Sequence, residues 1–258
     1  MSGPDPMPHE RRMALTHEIE RLLRQRYGDQ LLALGLYGST ARGEDGPYSD
    51  IEIHCVIRGK GIETSFEWSA GAWKAEVDVY SQEVILAQAA ALDGDWPITH
   101  GAFLHVQALH DPQGLFPRLS AAAFDHSPEE FRDAAAEVIV GEIYELIGKI
   151  RNTAQGETGS LVYFFVMLAR HAACLLGLDQ RQVYRSTARL FADSLALPDR
   201  PDGYDDLCHC VMTGNGLNDA AHLRALSDLF WEGLIAWAAA RQLPIEQDTA
   251  ALLLSSRS

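Results

Sequence analysis

The sequence predicts an α+β fold, with a strand-bearing N-terminal half flanked by helices and a C-terminal helical half. Two observations predict it. Between about residues 31 and 110, short apolar runs are punctuated by glycine, proline and serine. After Ser127-Pro128, long runs with apolar residues at helical spacing replace them, which puts the division near residue 127. A chain of 258 residues has room for two modest domains.

The first half opens with a helix over Met13 to Tyr27, where apolar residues recur at helical spacing. Leu31 to Tyr37 is a nearly unbroken apolar run and reads as a buried strand. Ile51 to Ile57 starts by alternating, and Trp73 to Tyr80 alternates throughout, so both read as strands. A helix is predicted near Ser81 to Leu92, opened by Ser81 with Glu83 soon after. In the second half, Glu129 to Arg151 is one long helix, with Ser127 as its N-cap and a proline at the first helical position. Ser160 to Leu176 is the next, ended by Gly177. Further helices are predicted around residues 186–195, 204–212 and 219–241.

Composition narrows the partners. Lys and Arg total 21 against 36 Asp and Glu, a formal charge of −15. That excludes a basic groove over the whole surface, so no nucleic-acid partner is expected. It suits a cationic small substrate. At 47% hydrophobic residues the chain can bury a sizeable core. Met1 to Arg12 lacks an apolar signal core, and no apolar stretch suggests a membrane span. The four cysteines (Cys55, Cys174, Cys208, Cys210) are too few for a disulfide scaffold, so a cytoplasmic setting is predicted. Cys208-His209-Cys210 has no second ligand pair nearby and does not build a zinc site.

The chemistry concentrates in Gly38-Ser39-Thr40-Ala41-Arg42 and Tyr48-Ser49-Asp50-Ile51-Glu52. A buried strand ends in Gly-Ser, a polar turn follows, and the next strand opens on two carboxylates at i and i+2. Period two puts Asp50 and Glu52 on one strand face, where both can reach one hard cation such as Mg²⁺. Gly38 lets backbone N–H groups approach a polyphosphate, Ser39 adds a hydroxyl, and Arg42 offers planar contact to phosphate oxygens. Lys74, Glu76 and Asp78 share a face of the following strand, and one carboxylate there could complete the metal site, Glu76 being preferred over Asp78 although spacing alone does not force that choice. Glu142, Glu145 and Lys149 fall on one helix face. By spacing alone, that stripe reads more readily as a solvated face with an ion pair than as an active-site stripe.

The G-S … G-P-Y-S-D-I-E pattern resembles the nucleotidyltransferase superfamily that includes the polymerase-beta-like transferases. The similarity extends to the kanamycin nucleotidyltransferase family, aminoglycoside 4′-O-nucleotidyltransferases. It includes Glu67-Trp68, Trp73-Lys74, Glu76-Val77, Asp95-Trp96-Pro97, Glu142 with Glu145, Gly148-Lys149, Gly203-Tyr204-Asp205 and Phe230-Trp231, over about residues 31–240. The resemblance implies a mixed-sheet nucleotidyltransferase domain over 1–127 and a helical bundle over 128–258 that contributes to a homodimer and to its active sites. It implies Mg²⁺ on Asp50 and Glu52. Triphosphate contacts fall to Ser39, Arg42, Ser49 and Lys149, with Thr187 near the nucleotide. Glu145 is implied as the general base. An acceptor pocket of Glu67, Lys74, Glu76 and Glu142 is also implied, which moves Glu76 from the metal to the acceptor.

The activity implied is transfer of AMP from ATP to the 4′-hydroxyl of kanamycin-, tobramycin- or amikacin-type aminoglycosides, with release of pyrophosphate and antibiotic resistance as the outcome. The sequence departs from the family at Gly141, where a pocket glutamate is usual, and at Ala41, where glycine is usual. The missing carboxylate predicts restriction to the 4′ position. The rival functions are a related transferase with another acceptor and a catalytically silent nucleotide-binding module. Intact Asp50, Glu52 and Glu145 argue against the second.

Overall fold

The computed structural model describes residues 3–156 and 159–246. They divide into two compact units, one of residues 3–91 and 99–126, the other of 92–98 and the chain from 127 onward. Each is built around its own core.

The first unit is a five-stranded mixed sheet with helices on both faces. Its strands are β1 (Leu31–Tyr37), β2 (Ile51–Ile57), β3 (Glu63–Ser69), β4 (Lys74–Ser81) and β5 (Gln107–His110), in the order β3-β4-β2-β1-β5. β2 and β4 run parallel and every other pair is antiparallel. Helix α1 (His9–Tyr27) begins one turn before the predicted start and lays Leu15, Ile19 and Leu23 on one sheet face. There they meet Leu34, Leu36, Ile51, Ile53, Val77 and Val79. On the other face, Ala33 and Val56 pack with Ile85, Phe103, Phe116 and Leu119. These come from α3 (Gln82–Ala89), α5 (Gly101–Leu104) and α6 (Leu115–Ala122), after the short turns α2 (Gly38–Ala41) and α4 (Trp96–Thr99). Towards the start of β2 and β4 that second face carries acidic side chains in place of apolar ones.

The edge strand β3 was not predicted. Its sequence alternates only briefly, with Phe66 and Trp68 between Ser65, Glu67 and Ser69, and every one of its residues is exposed, unlike those of β4.

The second unit is helical. Its first helix, α7 (Pro128–Glu137), is capped as predicted: Ser127 Oγ accepts from the Glu130 N–H at 3.2 Å, and Glu130 Oε2 accepts from the Ser127 N–H at 2.7 Å. The predicted single helix is interrupted by a π-helical turn over Val138–Ile143 and resumes as α8 (Tyr144–Asn152). Helix α9 (Leu161–Asp179) is central. It is apolar enough to cross a membrane (mean hydropathy 1.9), but 67% of that window is buried inside the unit, as in a core helix. Helices α10 (Leu190–Leu195), α11 (Tyr204–Thr213) and α12 (Ala220–Ala240) pack around it.

Gly177 does not end α9 as the sequence suggested. It lies inside the helix, where glycine is required because a Cβ would come within 2.5 Å of Pro97 Cβ. The 92–98 segment, assigned to the first half by sequence, packs in the helical unit. Its Pro97 carbonyl accepts from the Tyr184 N–H at 2.7 Å, and the Trp96 indole sits edge-on to Phe131 at 5.0 Å. All four cysteines are unbridged and buried.

Candidate active site

Two clusters collect the predicted residues, one in each unit. In the first unit, β1 ends at Tyr37 and the chain turns through Gly38 at φ +73°. A Cβ at Gly38 would stand 1.8 Å from Glu52 Oε2, so the Glu52 carboxylate rests directly against the glycine Cα. Positive φ and close approach both require glycine here. Gly38→Ala is therefore expected to lose about 1–2 kcal/mol from the backbone alone. It should also push Glu52 from its place and reduce kcat/KM at least tenfold, which paired thermal denaturation and steady-state kinetics would register.

The polar turn after Gly38 is tied internally. Ser39 Oγ donates to Ser49 Oγ at 3.2 Å, and the Gly46 N–H donates to the same Ser49 oxygen at 3.0 Å. Both lone pairs of the Ser49 hydroxyl are then engaged, so what it has left to offer is a donor, the polarity a phosphate oxygen needs. Thr40 Oγ1 donates to the Asp50 carbonyl at 3.0 Å, and the Arg42 Nε–H donates to Glu44 Oε2 at 3.1 Å.

Strand register builds the acidic row. Glu52 stands opposite Glu76 in the parallel β2–β4 pair, and Glu76 stands opposite Glu67 in the antiparallel β3–β4 pair. Lys74 Nζ lies 2.5 Å from Glu67 Oε1 and 3.8 Å from Asp50 Oδ2. Burial pushes the Glu52 carboxyl up to about 7, helped by the charges of Asp50 and Glu76 and opposed by Arg42 and Lys74. Glu76 is raised as well, by burial and then by Asp78. Beneath the row, Tyr37 donates its hydroxyl to Asp78 Oδ2 at 2.9 Å and stacks on His54 at 4.0 Å. Burial holds that imidazole down to about 4, so the ring beneath the row is neutral.

A bound cation would relieve this surplus of carboxylate over cation. Among the described residues no three His, Cys, Asp or Glu side chains converge as a complete metal site. Asp50 and Glu52 fit a cation that takes two protein carboxylates and completes its shell with phosphate oxygens and water, as Mg²⁺ does in nucleotide enzymes.

In the helical unit, Lys149 Nζ lies 2.6 Å from Glu145 Oε1, one turn along α8. The bond to Glu145 raises the lysine further above its usual range. Glu142, in the π-helical turn, has Oε2 at 3.7 Å from His171 Nε2 on α9. These charged groups line a cavity of about 130 Å³ with Tyr163 and Phe164. π-helical turns within α-helices recur at functional sites. Gly141 lies in the same turn with nothing within 4 Å of the Cβ it would carry, so a longer side chain would fit there. Thr187 opens an exposed 3₁₀ turn (Thr187–Arg189). Among the described residues no interaction joins it to Glu145 or Lys149.

Sequence reasoning missed Arg12, His171 and Tyr163. Arg12 precedes the apolar periodicity of α1 and reads there as a solvated charge, whereas it is 1% exposed. His171 lies among the apolar residues of α9, and only the fold brings it to Glu142.

Comparison with known proteins agrees with this architecture. A nucleotidyltransferase-like protein from Exiguobacterium sibiricum shares the fold, with a TM-score of 0.53 over 85% of this chain and 76% of its own, at 10% identity. The fold is thus that of a nucleotidyltransferase-like protein. Residues 113–244 match the family of KNTase C-terminal domains. Two aminoglycoside nucleotidyltransferases (4′), from a Bacillus species and from Staphylococcus aureus, are each 39% identical over 92% of this chain and 94% of theirs. The chain belongs to the aminoglycoside nucleotidyltransferase (4′) family, and is an enzyme.

Proposed function

We propose that the enzyme transfers AMP from ATP to the 4′-hydroxyl of kanamycin-, tobramycin- or amikacin-type aminoglycosides, releases pyrophosphate, and so confers resistance to them. The observation that carries this reading is the acidic row at the start of β2 and β4. Asp50 and Glu52 lie beside a Ser39–Ser49 hydroxyl pair and Arg42, and burial, with the charges of Asp50 and Glu76, holds the Glu52 proton to about pH 7.

Asp50 and Glu52 would hold Mg²⁺, which when bound neutralises charge on the α-phosphate and on departing pyrophosphate. Ser39, Ser49, Arg42 and Lys149 hold the triphosphate, with Gly38 allowing close backbone approach and Thr187 near the nucleotide. They hold it so that the acceptor oxygen attacks phosphorus in line. Glu145 takes the hydroxyl proton as the oxygen–phosphorus bond forms and the bond to pyrophosphate breaks. Glu67, Glu76 and Glu142 meet the ammonium groups of the acceptor, and Lys74, bound to Glu67, keeps that edge from excess negative charge. Two subunits share each site, with Glu145 of the partner subunit and Lys149 of the partner subunit facing Asp50 and Glu52. The reaction belongs to the cytoplasm, where nucleoside triphosphate and Mg²⁺ are abundant.

The test is pyrophosphate release with ATP, Mg²⁺ and kanamycin or tobramycin, each omitted in turn, with mass spectrometry of the antibiotic. Release that needs all three, with an AMP mass added at the 4′ position, is the expected result. Binding of Mg²⁺ and ATP without release would mean a different acceptor, and no nucleotide binding would reject the reading. Adenylylation at 4″ of a substrate lacking the 4′-hydroxyl would overturn the restriction assigned to Gly141.

The Glu52 proton adds a signed pH dependence. A cation must displace that proton below about pH 7 and need not above it, so affinity should climb about tenfold per pH unit towards 7 and then level. Thermal stabilisation by Mg²⁺ with a non-hydrolysable ATP analogue is expected to be larger at about pH 8 than at about pH 5.5. Equal shifts would show that Glu52 does not bind the ion.

A further inference from the structure

The loop between α2 and β2, residues 42–50, has little regular structure of its own, yet it must present Ser49 and Asp50 together. One side chain outside it satisfies much of its backbone. The guanidinium of Arg12, from the first turn of α1, reaches into it and is 1% exposed. Its Nε–H donates to the Ser49 carbonyl at 2.9 Å, and Nη2 donates to the carbonyls of Gly46 and Pro47 at 3.1 Å each and of Met7 at 3.2 Å. Nη1 pairs with the carboxylate of Asp45, which is 2% exposed. His9 Nδ1 lies 2.6 Å from the other oxygen of that carboxylate.

An isolated buried charge is costly, so a buried arginine persists where its donors are all used. Here they are used on one loop and the segment that crosses it. That segment makes two more bonds: the Met7 N–H donates to the Pro47 carbonyl at 2.8 Å, and the Asp5 N–H donates to the Ala72 carbonyl at 2.9 Å. Residues 5–12 therefore fasten the loop before Asp50 to the turn between β3 and β4. The Ser49 carbonyl belongs to the peptide unit that leads into Asp50. Fixing its direction fixes where the Asp50 side chain departs.

We propose that Arg12 is a positioning residue for nucleotide and metal binding, orienting the Ser49–Asp50 peptide without touching either ligand. The proposal rests on the reading of Asp50 as a metal ligand. Lysine at position 12 keeps the charge but lacks the planar fork and cannot span Asp45, Gly46, Pro47 and Ser49 together.

Arg12→Met, with the charge-keeping Arg12→Lys beside it in case the uncharged variant does not fold, would be compared with the parent by three measurements. These are amide hydrogen exchange of residues 43–50 without ligand, Mn²⁺ affinity by electron paramagnetic resonance with and without ATP, and KM and kcat. The expected result for Arg12→Lys is a folded protein with faster exchange confined to that loop, Mn²⁺–ATP affinity weakened roughly ten- to hundredfold, and a matching rise in KM for ATP. Unchanged loop exchange would overturn the positioning role. So would faster exchange with unaltered Mn²⁺ affinity, which would leave Arg12 a purely structural part. A parent chain that fails to bind Mn²⁺ at all would instead reject the reading of Asp50, and the exchange data would still decide whether Arg12 orders the loop.

Discussion

Glu52→Gln is expected to be catalytically dead and, without metal, more stable than the parent chain. Both effects have one cause. Glu52 is opposed by its own surroundings: burial, Asp50 and Glu76 together outweigh Arg42 and Lys74 and raise its carboxyl from 4.5 to about 7. The folded chain binds that proton more tightly than the unfolded one. Rising pH therefore costs stability across the interval from 4.5 to about 7, and the cost is complete above it. A difference of that size corresponds to about 3 kcal/mol at pH 8. Glutamine keeps the shape of the protonated acid without the charge. The variant should melt several degrees higher than the parent at about pH 8 and nearly level with it at about pH 5. Transfer should fall on the order of 10³-fold, because the developing charge loses its counter-ion. The Mg²⁺-dependent thermal shift should vanish with it. Asp50→Asn should match the loss of transfer. A Glu52→Gln protein that melts below the parent at high pH would show that the carboxylate is satisfied in the metal-free site, and would sink the argument.

That antagonism was only partly legible in the sequence. Period two placed Asp50 and Glu52 on one face, because a strand allows nothing else. What the sequence could not reveal was the neighbour that confines Glu52. Gly38 contacts the carboxylate across the β1–β2 pair, a relation set by register, and Glu76 comes opposite only because β2 and β4 pair in parallel. β3 was illegible for a related reason. On an edge strand exposed on both faces the alternation of Phe66 and Trp68 with Ser65, Glu67 and Ser69 is too short to stand out, and Glu67 was reached through family resemblance. In the helical half, Ser127 and Pro128 announced the start of α7 through local capping chemistry. The π-turn over Val138–Ile143 has no comparable local signature. Gly177 misled because glycine serves equally as a helix stop and as a gap for a packed neighbour, and Pro97 is distant in sequence.

Glu145→Gln separates chemistry from binding. Glu145 is 61% exposed and its partner Lys149 is 45% exposed, so their 2.6 Å pair is well solvated and adds little to the fold. The variant should melt with the parent, which sets it apart from Glu52→Gln. A general base contributes about 10²–10⁴-fold, and kcat should fall within that range with KM for ATP little changed. Lys149→Met provides the contrast, because removing the cation should act first through a raised KM for ATP. Glu142, Tyr163 and His171 border the same cavity, and with Glu142 assigned to the acceptor's ammonium groups, His171 is the side chain that would take over proton removal. Burial, and then the charge of Arg170, hold its imidazole below the usual range, which makes it a weaker base than an unperturbed histidine. A Glu145→Gln enzyme that keeps near-parental kcat would therefore transfer suspicion to His171, and a Glu145→Gln, His171→Gln double variant would decide between them. Additive losses would leave two independent roles, and a collapse seen only in the double variant would make the two groups interchangeable bases.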